Sequence, residues 1–118
     1  MSGRPASRVE LLQGTLDLLI LKTLLPGPSH GHAIAKHIQR TSEELLQVET
    51  GSLYPALHRL EAQGSIAASW ELSDKGKRAK YYRLTARGRK QLDAARERWD
   101  TFSRAMGLVL KPGEGESS

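Results

Sequence analysis

An α+β fold of three helices, a two-stranded β-hairpin and one long last helix is predicted for this chain of 118 residues. Three observations predict it. Apolar residues first recur at helical spacing, up to about residue 63. They then alternate with smaller or polar residues, as Ile66, Ala68 and Trp70 do along a strand. Finally they return at steps of four and three from Leu92 to Val109. The length suffices for one hydrophobic core.

The first helix is predicted from Glu10 to Leu25, after a flexible tail at residues 1–8. Leucines surround most of its circumference, so we expect it to be buried on two sides, by its own domain and by a partner chain. Pro26-Gly27-Pro28 ends it, because proline cannot continue the hydrogen-bond ladder of a helix.

The second and third helices are predicted from their capping residues. Ser29 is expected to cap a helix from about His30 to Arg40. Thr50-Gly51-Ser52 begins the third helix, which runs to about Gln63. Pro55 is expected in its first turn, where a missing N–H costs nothing.

The predicted hairpin carries most of the positive charge of the chain. Its turn lies at Ser73–Lys77, and its return strand spans Lys80 to Leu84. The segment 73–90 has eight basic residues and one acidic residue, so its net charge is +7 in a chain of net charge +5. A positive segment in an otherwise slightly acidic chain is typical of a polyanion contact, and a solvated loop is the alternative interpretation.

The last helix is predicted from the cap Thr85 to about Leu110, before a disordered tail at 111–118. Its apolar spacing is that of a seam between two helices, and nothing else in the chain is left to cover it. We therefore interpret residues 85–110 as a dimerisation helix. The residues expected at the dimer interface are Leu12, Leu16, Leu19, Leu92, Ala95, Trp99, Phe102 and Met106.

This order of elements is the winged helix-turn-helix, in which the third helix enters the DNA major groove and the hairpin contacts the backbone. Residues 9–84 are therefore interpreted as a DNA-binding domain. Leu53, Leu57 and Leu60 are expected to anchor the third helix, with its polar residues on the opposite face. The candidate DNA contacts are Ser52, Tyr54, Pro55, His58, Arg59, Lys75, Lys77, Arg78 and Lys80.

Four stretches resemble PadR-type transcriptional regulators, over about residues 10–100 and most closely in the short branch found in acidobacteria. They are 11–21 (LLQGTLDLLIL), 28–35 (PSHGHAIA), 51–61 (GSLYPALHRLE) and 78–85 (RAKYYRLT). The resemblance implies a homodimeric, usually repressing transcription factor on a two-fold operator. The chain departs from the family at His32, where a tyrosine is usual, and at Ser65, where a bulky aromatic residue is usual.

Other function classes are disfavoured by the residues. Ser52, His58 and Glu61 would fan out around one helix, so no hydrolase triad and no enzyme is expected. His30, His32 and His37 do not share a helix face, and the chain has no cysteine, so neither a metal nor another cofactor is expected. The sequence has no signal peptide or membrane-spanning run, and we expect a cytoplasmic protein that binds double-stranded DNA. A protein-interaction module and an RNA-binding protein remain alternatives.

Two tryptophans complete the sequence-based expectations. In regulators resembling this chain, an aromatic residue of the last helix lines a pocket that stacks flat apolar drugs at the dimer interface. Trp99 and Phe102 are thus candidates for binding a small aromatic effector, although simple packing in the dimer core is the favoured role for both. Trp70 is expected to pack under the hairpin.

Overall fold

A small antiparallel sheet and four helices make up the part of the chain described in a computed structural model, residues 13–72 and 74–113. The predicted order of helices, hairpin and long last helix is confirmed, and a short additional strand joins the sheet in the order β1-β3-β2. The tail at 1–8, Glu10 and Leu12 lie outside the described residues. The elements are α1 (Gln13–Thr23), β1 (Ser29–His30), α2 (Gly31–Thr41), α3 (Thr50–Ala62), β2 (Ile66–Leu72), β3 (Arg78–Leu84) and α4 (Ala86–Leu110).

One hydrophobic core lies between α1, α2, α3, the sheet and the first turns of α4. Leu53, Leu57 and Leu60 are buried in it, as predicted, and hold α3 against the rest of the domain. Helix α1 is buried or partly buried along most of its length because apolar residues occupy nearly all its sides. Its buried residues are Leu16, Ile20 and Leu21, followed after the helix by Leu24, and its partly buried ones include Leu18 and Leu19.

Strand β1 corrects the prediction for the start of α2. Ser29 pairs with Tyr82 of β3 and His30 pairs with Tyr81, so Ser29 belongs to the sheet and does not cap the helix. The cap is His30, whose Nδ1 accepts a hydrogen bond from the backbone N–H of Ala33 at 3.2 Å. The imidazole also lies edge-on against the ring of Tyr81, with 5.5 Å between the ring centroids.

Helix α3 begins at Thr50, within the predicted start, and Glu49 is its N-cap. The carbonyl of Glu49 already accepts hydrogen bonds from the N–H groups of Ser52 and Leu53, at 3.0 and 2.9 Å. Thr50 is therefore the first helical residue, and Pro55 lies in the second turn instead of the first. Because proline has no N–H, the carbonyl of Gly51 loses its helical donor. Both residues are exposed, so water can solvate that carbonyl.

Ser65, one of the two departures from the family, lies at the junction of α3, the sheet and α4. This serine is buried, and its hydroxyl is hydrogen-bonded to the side-chain oxygen of Gln91. The hydroxyl of Thr85 donates to the carbonyls of Gly64 and Ser65, at 2.7 and 2.9 Å, and accepts from the N–H of Gly88 at 3.0 Å. The first turn of α4 therefore rests directly on the backbone of Ser65.

Gly88 is required at this junction, and its replacement by alanine is expected to destabilise the fold. A Cβ at position 88 would lie 2.0 Å from the carbonyl oxygen of Ser65, so the start of α4 would have to move. We expect a loss of about 1–3 kcal/mol in the free energy of unfolding, or more. Denaturant titration followed by circular dichroism measures it.

The matched control is Gly107→Ala on the same helix. A Cβ there meets nothing within 4 Å, so only helix propensity changes. Because alanine is the better helix former, we expect Gly107→Ala to be neutral or to stabilise by up to about 1 kcal/mol. Equal effects of the two substitutions would contradict the close contact described at Gly88.

The predicted dimer residues fall into two groups. Leu16 and Leu92 are only 3% and 1% exposed, so the prediction that they face a partner is wrong. They lie in the core because the start of α4 packs over α1. The remaining predicted dimer residues that the structure describes are partly buried or exposed. The exposed ones lie on the part of α4 that extends beyond the core. Leu19 and Ala95 are partly buried, whereas Trp99, Phe102 and Met106 are exposed.

Candidate nucleic-acid interface

A cleft of about 550 Å³ opens between the N-terminal end of α2, helix α3 and the β2–β3 hairpin. We call this hairpin the wing. Four of the nine predicted DNA contacts line the cleft together, two from α3 and two from the wing, so the structure brings both predicted elements to one surface. The lining residues are His30, Gly31, His32, Tyr54, His58, Trp70, Arg78, Ala79, Lys80 and Tyr82.

The outer face of α3 carries polar and ring side chains. Ser52, Tyr54, Pro55 and His58 are exposed on the side opposite the buried leucines, as predicted. The ring of Tyr54 packs over the first turn of α2, where a Cβ on Gly31 would lie 2.9 Å from the tyrosine hydroxyl. This contact restrains Tyr54 at the cleft.

Arg59 does not join that face, and the prediction that it points outward is wrong. Its Nη2 donates a hydrogen bond to Oδ1 of Asp17 on α1 at 2.6 Å, and its side chain is 29% exposed. Its Nε is buried, with no hydrogen-bond partner among the described residues. Arg59 lies at the edge of α3 that meets α1, so its ion pair with Asp17 ties α3 to α1.

Removing the carboxylate of Asp17 is expected to destabilise the domain. Asp17→Ala leaves the partly buried guanidinium of Arg59 without its acceptor, which we expect to cost about 1–3 kcal/mol in unfolding free energy. The control is Asp93→Ala, which breaks an exposed pair with Arg89 at 3.6 Å and should cost less than about 0.5 kcal/mol. Chemical denaturation compares the two, and equal stabilities would contradict an anchoring role for Asp17.

The tip of the wing is open and basic. Lys75 and Lys77 are exposed there, and between them Gly76 has a positive φ of 77°, which glycine adopts without strain. Trp70 is 58% exposed, so the prediction that it packs under the hairpin is wrong. Exposure rises along β2 from Ile66 outward, because the outer half of the wing extends past the body of the domain.

Lys80 lies on β3, across the wing from Trp70, and is already paired. Its Nζ lies 3.3 Å from Oε1 of Glu61 on α3 and 5.5 Å from the ring centroid of Tyr82. Desolvation lowers the pKa of Lys80, but the hydrogen bond to Glu61 and the attraction of Glu61 and Tyr82 outweigh it, and the net pKa is raised. Burial raises the pKa of Tyr82. Lys80 is therefore a cation at neutral pH that joins the wing to α3.

A second hollow, of about 340 Å³, lies between α1 and α4 and collects the aromatic residues of α4. The rings of Trp99 and Phe102 are 6.1 Å apart at their centroids and tilted by 43°. The hollow is mostly apolar apart from one guanidinium. Its lining residues are Gly14, Thr15, Leu18, Ala95, Arg98, Trp99 and Phe102.

Residues 20–94 match the model of the transcriptional regulator PadR-like family. The match spans α2, α3 and the sheet, which form the cleft, and also the start of α4. The chain belongs to the PadR family. It is thus a member of a family of transcriptional regulators, as its sequence motifs predicted, while the narrower resemblance to an acidobacterial branch stays a prediction.

Individual relatives and solved structures named as transcriptional regulators agree with this assignment. A transcriptional regulator of Mycobacterium tuberculosis is 30% identical over 95 residues, which cover 80% of this chain and 85% of the relative. A transcriptional regulator from Clostridium thermocellum has a similar structure, with a TM-score of 0.77 and 32% identity over 84% of this chain and 96% of the other. A PadR family regulator from Clostridium difficile matches with a TM-score of 0.71 and 31% identity, covering 80% and 97%.

The described residues of this PadR-family chain contain neither a metal-binding cluster nor a membrane-spanning helix. Within 13–72 and 74–113, no three histidine, cysteine, aspartate or glutamate residues come close enough to hold a metal ion. Over the same residues, no helix has the length and apolarity needed to cross a bilayer. Two features of the cleft were missed from the sequence: the exposure of Trp70 and the pairing of Glu61 with Lys80.

Proposed function

We propose that this PadR-family protein binds double-stranded DNA as a homodimer and represses transcription by occupying a two-fold symmetric operator. The observation that carries the proposal is the cleft, where the exposed face of α3 and the basic wing meet on one side of the domain. A helix fits the DNA major groove, while cations beside it neutralise phosphates and release counterions. This arrangement suits DNA better than a purely protein-binding surface.

The proposed DNA contacts follow from the exposure of each side chain and from its bonds within the domain. Ser52, Tyr54, Pro55 and His58 would face the groove, because buried leucines hold the other side of α3. The exposed wing cations Lys75, Lys77 and Arg78 would contact phosphates. We assign Arg59 and Lys80 supporting roles instead, because each is bonded to a carboxylate within the chain.

The homodimer is proposed from the apolar side of α4. Trp99 is 44% exposed, Phe102 57% and Met106 43%, at the spacing of one helix face. Exposing a row of large apolar side chains to water is unfavourable, and such a row is typical of an interface between protein chains. We propose that α4 pairs with a second copy, with Ala95 and Leu19 of α1 at the margin, and that the pairing sets the distance between the two α3 helices.

A small-molecule effector is a second candidate occupant of the hollow beside Trp99 and Phe102, since flat apolar compounds stack on such rings. An effector would relieve repression only if it bound one spacing of the α3 helices more tightly than the other. Planar aromatic compounds can be titrated in a Trp70→Phe background while Trp99 fluorescence is followed. Saturable quenching supports the effector, and no response across a broad panel contradicts it.

Binding to duplex DNA at increasing salt, with structured RNA as competitor, tests the proposal directly. We expect log K to fall steeply with log salt concentration, and RNA to compete poorly, because the deep major groove of RNA does not admit a helix. An interaction module would bind duplex DNA weakly at all salt concentrations. An RNA-binding protein would be displaced from DNA by the RNA. Either result contradicts the proposed function.

A further inference from the structure

Trp70 is a large apolar side chain left open on the cleft side of the wing. It lies on the same face of β2 as Ala68, which is half-buried, and it pairs across the sheet with Lys80. Its indole is 58% exposed even though it lines the cleft. An exposed tryptophan in a cleft beside α3 indicates a ligand that has an apolar surface.

The guanidinium of Arg78 lies over this indole. Its central carbon is 5.2 Å from the centroid of the Trp70 ring, within the range of a cation–π contact. Both residues line the same cleft. The ring therefore restrains a long cationic side chain that would otherwise sample many rotamers, and it leaves the rest of the indole open to a ligand.

The charge around the pair favours an anionic ligand. Lys80 lies across the sheet from Trp70, and the nearby carboxylate of Glu61 is bonded to Lys80. The acidic residue of the strand, Glu71, follows Trp70 directly and therefore projects to the other face of the sheet, where its carboxylate accepts from Ser69. An apolar ring and a cation side by side match one repeating unit of nucleic acid, the deoxyribose and its adjoining phosphate.

Resting on the proposed DNA-binding function, we infer that Trp70 and Arg78 form one composite contact to the DNA backbone. The indole packs on a deoxyribose and holds the guanidinium of Arg78 against the neighbouring phosphate. Trp70 is then both a contact and a positioning residue for Arg78. The contact does not depend on base sequence, because every nucleotide carries the same sugar and phosphate.

Affinity and salt dependence test this inference, with a mixed-sequence DNA duplex as the probe and fluorescence anisotropy as the readout. Trp70→Ala is expected to weaken binding on the order of tenfold and to make the log K against log salt slope shallower by up to about 0.9, the loss of one phosphate contact. Trp70→Phe, which keeps a ring, is expected to recover most of both. Arg78→Ala is expected to change the slope by the same amount.

The composite nature of the contact predicts non-additivity. The double variant Trp70→Ala, Arg78→Ala should bind worse than Arg78→Ala alone, but by less than Trp70→Ala weakens the parent, because the ring acts partly through the guanidinium. Leu72→Ala is the matched control, since Leu72 is 71% exposed on the same strand face but does not line the cleft. We expect its affinity to stay within about twofold of the parent, as for other substitutions at non-contacting surface sites.

Three results would overturn the inference. Trp70→Ala could bind with the affinity and salt slope of the parent, or the two substitutions could act independently. Alternatively, Trp70→Ala could lower the sedimentation mass of the protein, which would place the indole between two copies of the chain. A parent protein that fails to bind duplex DNA would instead refute the proposed function itself, so the two failures are distinguishable.

Discussion

Glutamate at both Trp99 and Phe102 is expected to yield a folded monomer whose operator affinity is lower by on the order of 100- to 1000-fold. Both side chains are about half exposed in the single chain, so the substitutions should leave the domain intact. In a dimer they would bury charges in an apolar interface, which is strongly unfavourable. Loss of pairing removes the high effective concentration of the second half-site. Sedimentation gives the mass, circular dichroism the fold, and anisotropy the affinity.

The control for this prediction changes the same amount of charge on the other side of α4. At about 100° per residue, Thr101 and Arg104 point away from the row of Trp99, Phe102 and Met106, and both are exposed. Thr101→Glu with Arg104→Gln should therefore remain a dimer and bind the operator like the parent. A Trp99→Glu, Phe102→Glu protein that stays dimeric would contradict the assignment of α4 as the dimerisation helix.

Alanine at Lys75, Lys77 and Lys80 together is expected to weaken binding to all duplex sequences and to flatten the salt dependence. The structure makes this prediction more specific. Lys75 and Lys77 are exposed at the wing tip, whereas Lys80 is partly buried beside α3. We therefore expect the slope to change by about 1.8, two phosphate contacts, and not by about 2.7. Affinity at low salt should fall on the order of 10- to 100-fold.

Salt titrations of the parent, the triple alanine variant and a comparison protein separate the effect of the wing from the effect of net charge. The comparison protein carries Lys90→Ala and Arg96→Ala, which remove two exposed positive charges from α4. Its affinity should fall much less than that of the wing variant, because its charges lie away from the cleft. If the triple alanine variant binds as well as the parent protein, the assignment of the wing as a DNA contact is wrong.

The helices and the wing could be predicted from the sequence because apolar residues recur along each of them at a spacing typical of that element. The leucines at 53, 57 and 60 mark the buried side of α3 without any knowledge of what covers them. Strand β1 could not be found in this way. It has only two residues, too few for a period, and its partners Tyr81 and Tyr82 come from the other end of the domain.

The site was predicted in outline but not in its pairings. Periodicity assigns a side chain to one side of an element, and it does not say which charge lies opposite in space. Periodicity therefore predicts Arg59 and Lys80 as DNA contacts, although Asp17 and Glu61 hold them within the chain. One signal was available: Asp17 is the only acidic residue in the apolar run 16–25, and a charge in such a helix needs a partner.

Selection of bound duplexes from a random DNA library tests whether the protein reads DNA as a symmetric dimer, because it reports the presence, sequence and symmetry of a preferred site together. Two copies joined through α4 should each place one α3 in a major groove on the same side of the duplex. We expect enrichment of a two-fold symmetric site with half-sites about one helical turn apart. Absence of enrichment, or a single asymmetric site, would contradict it.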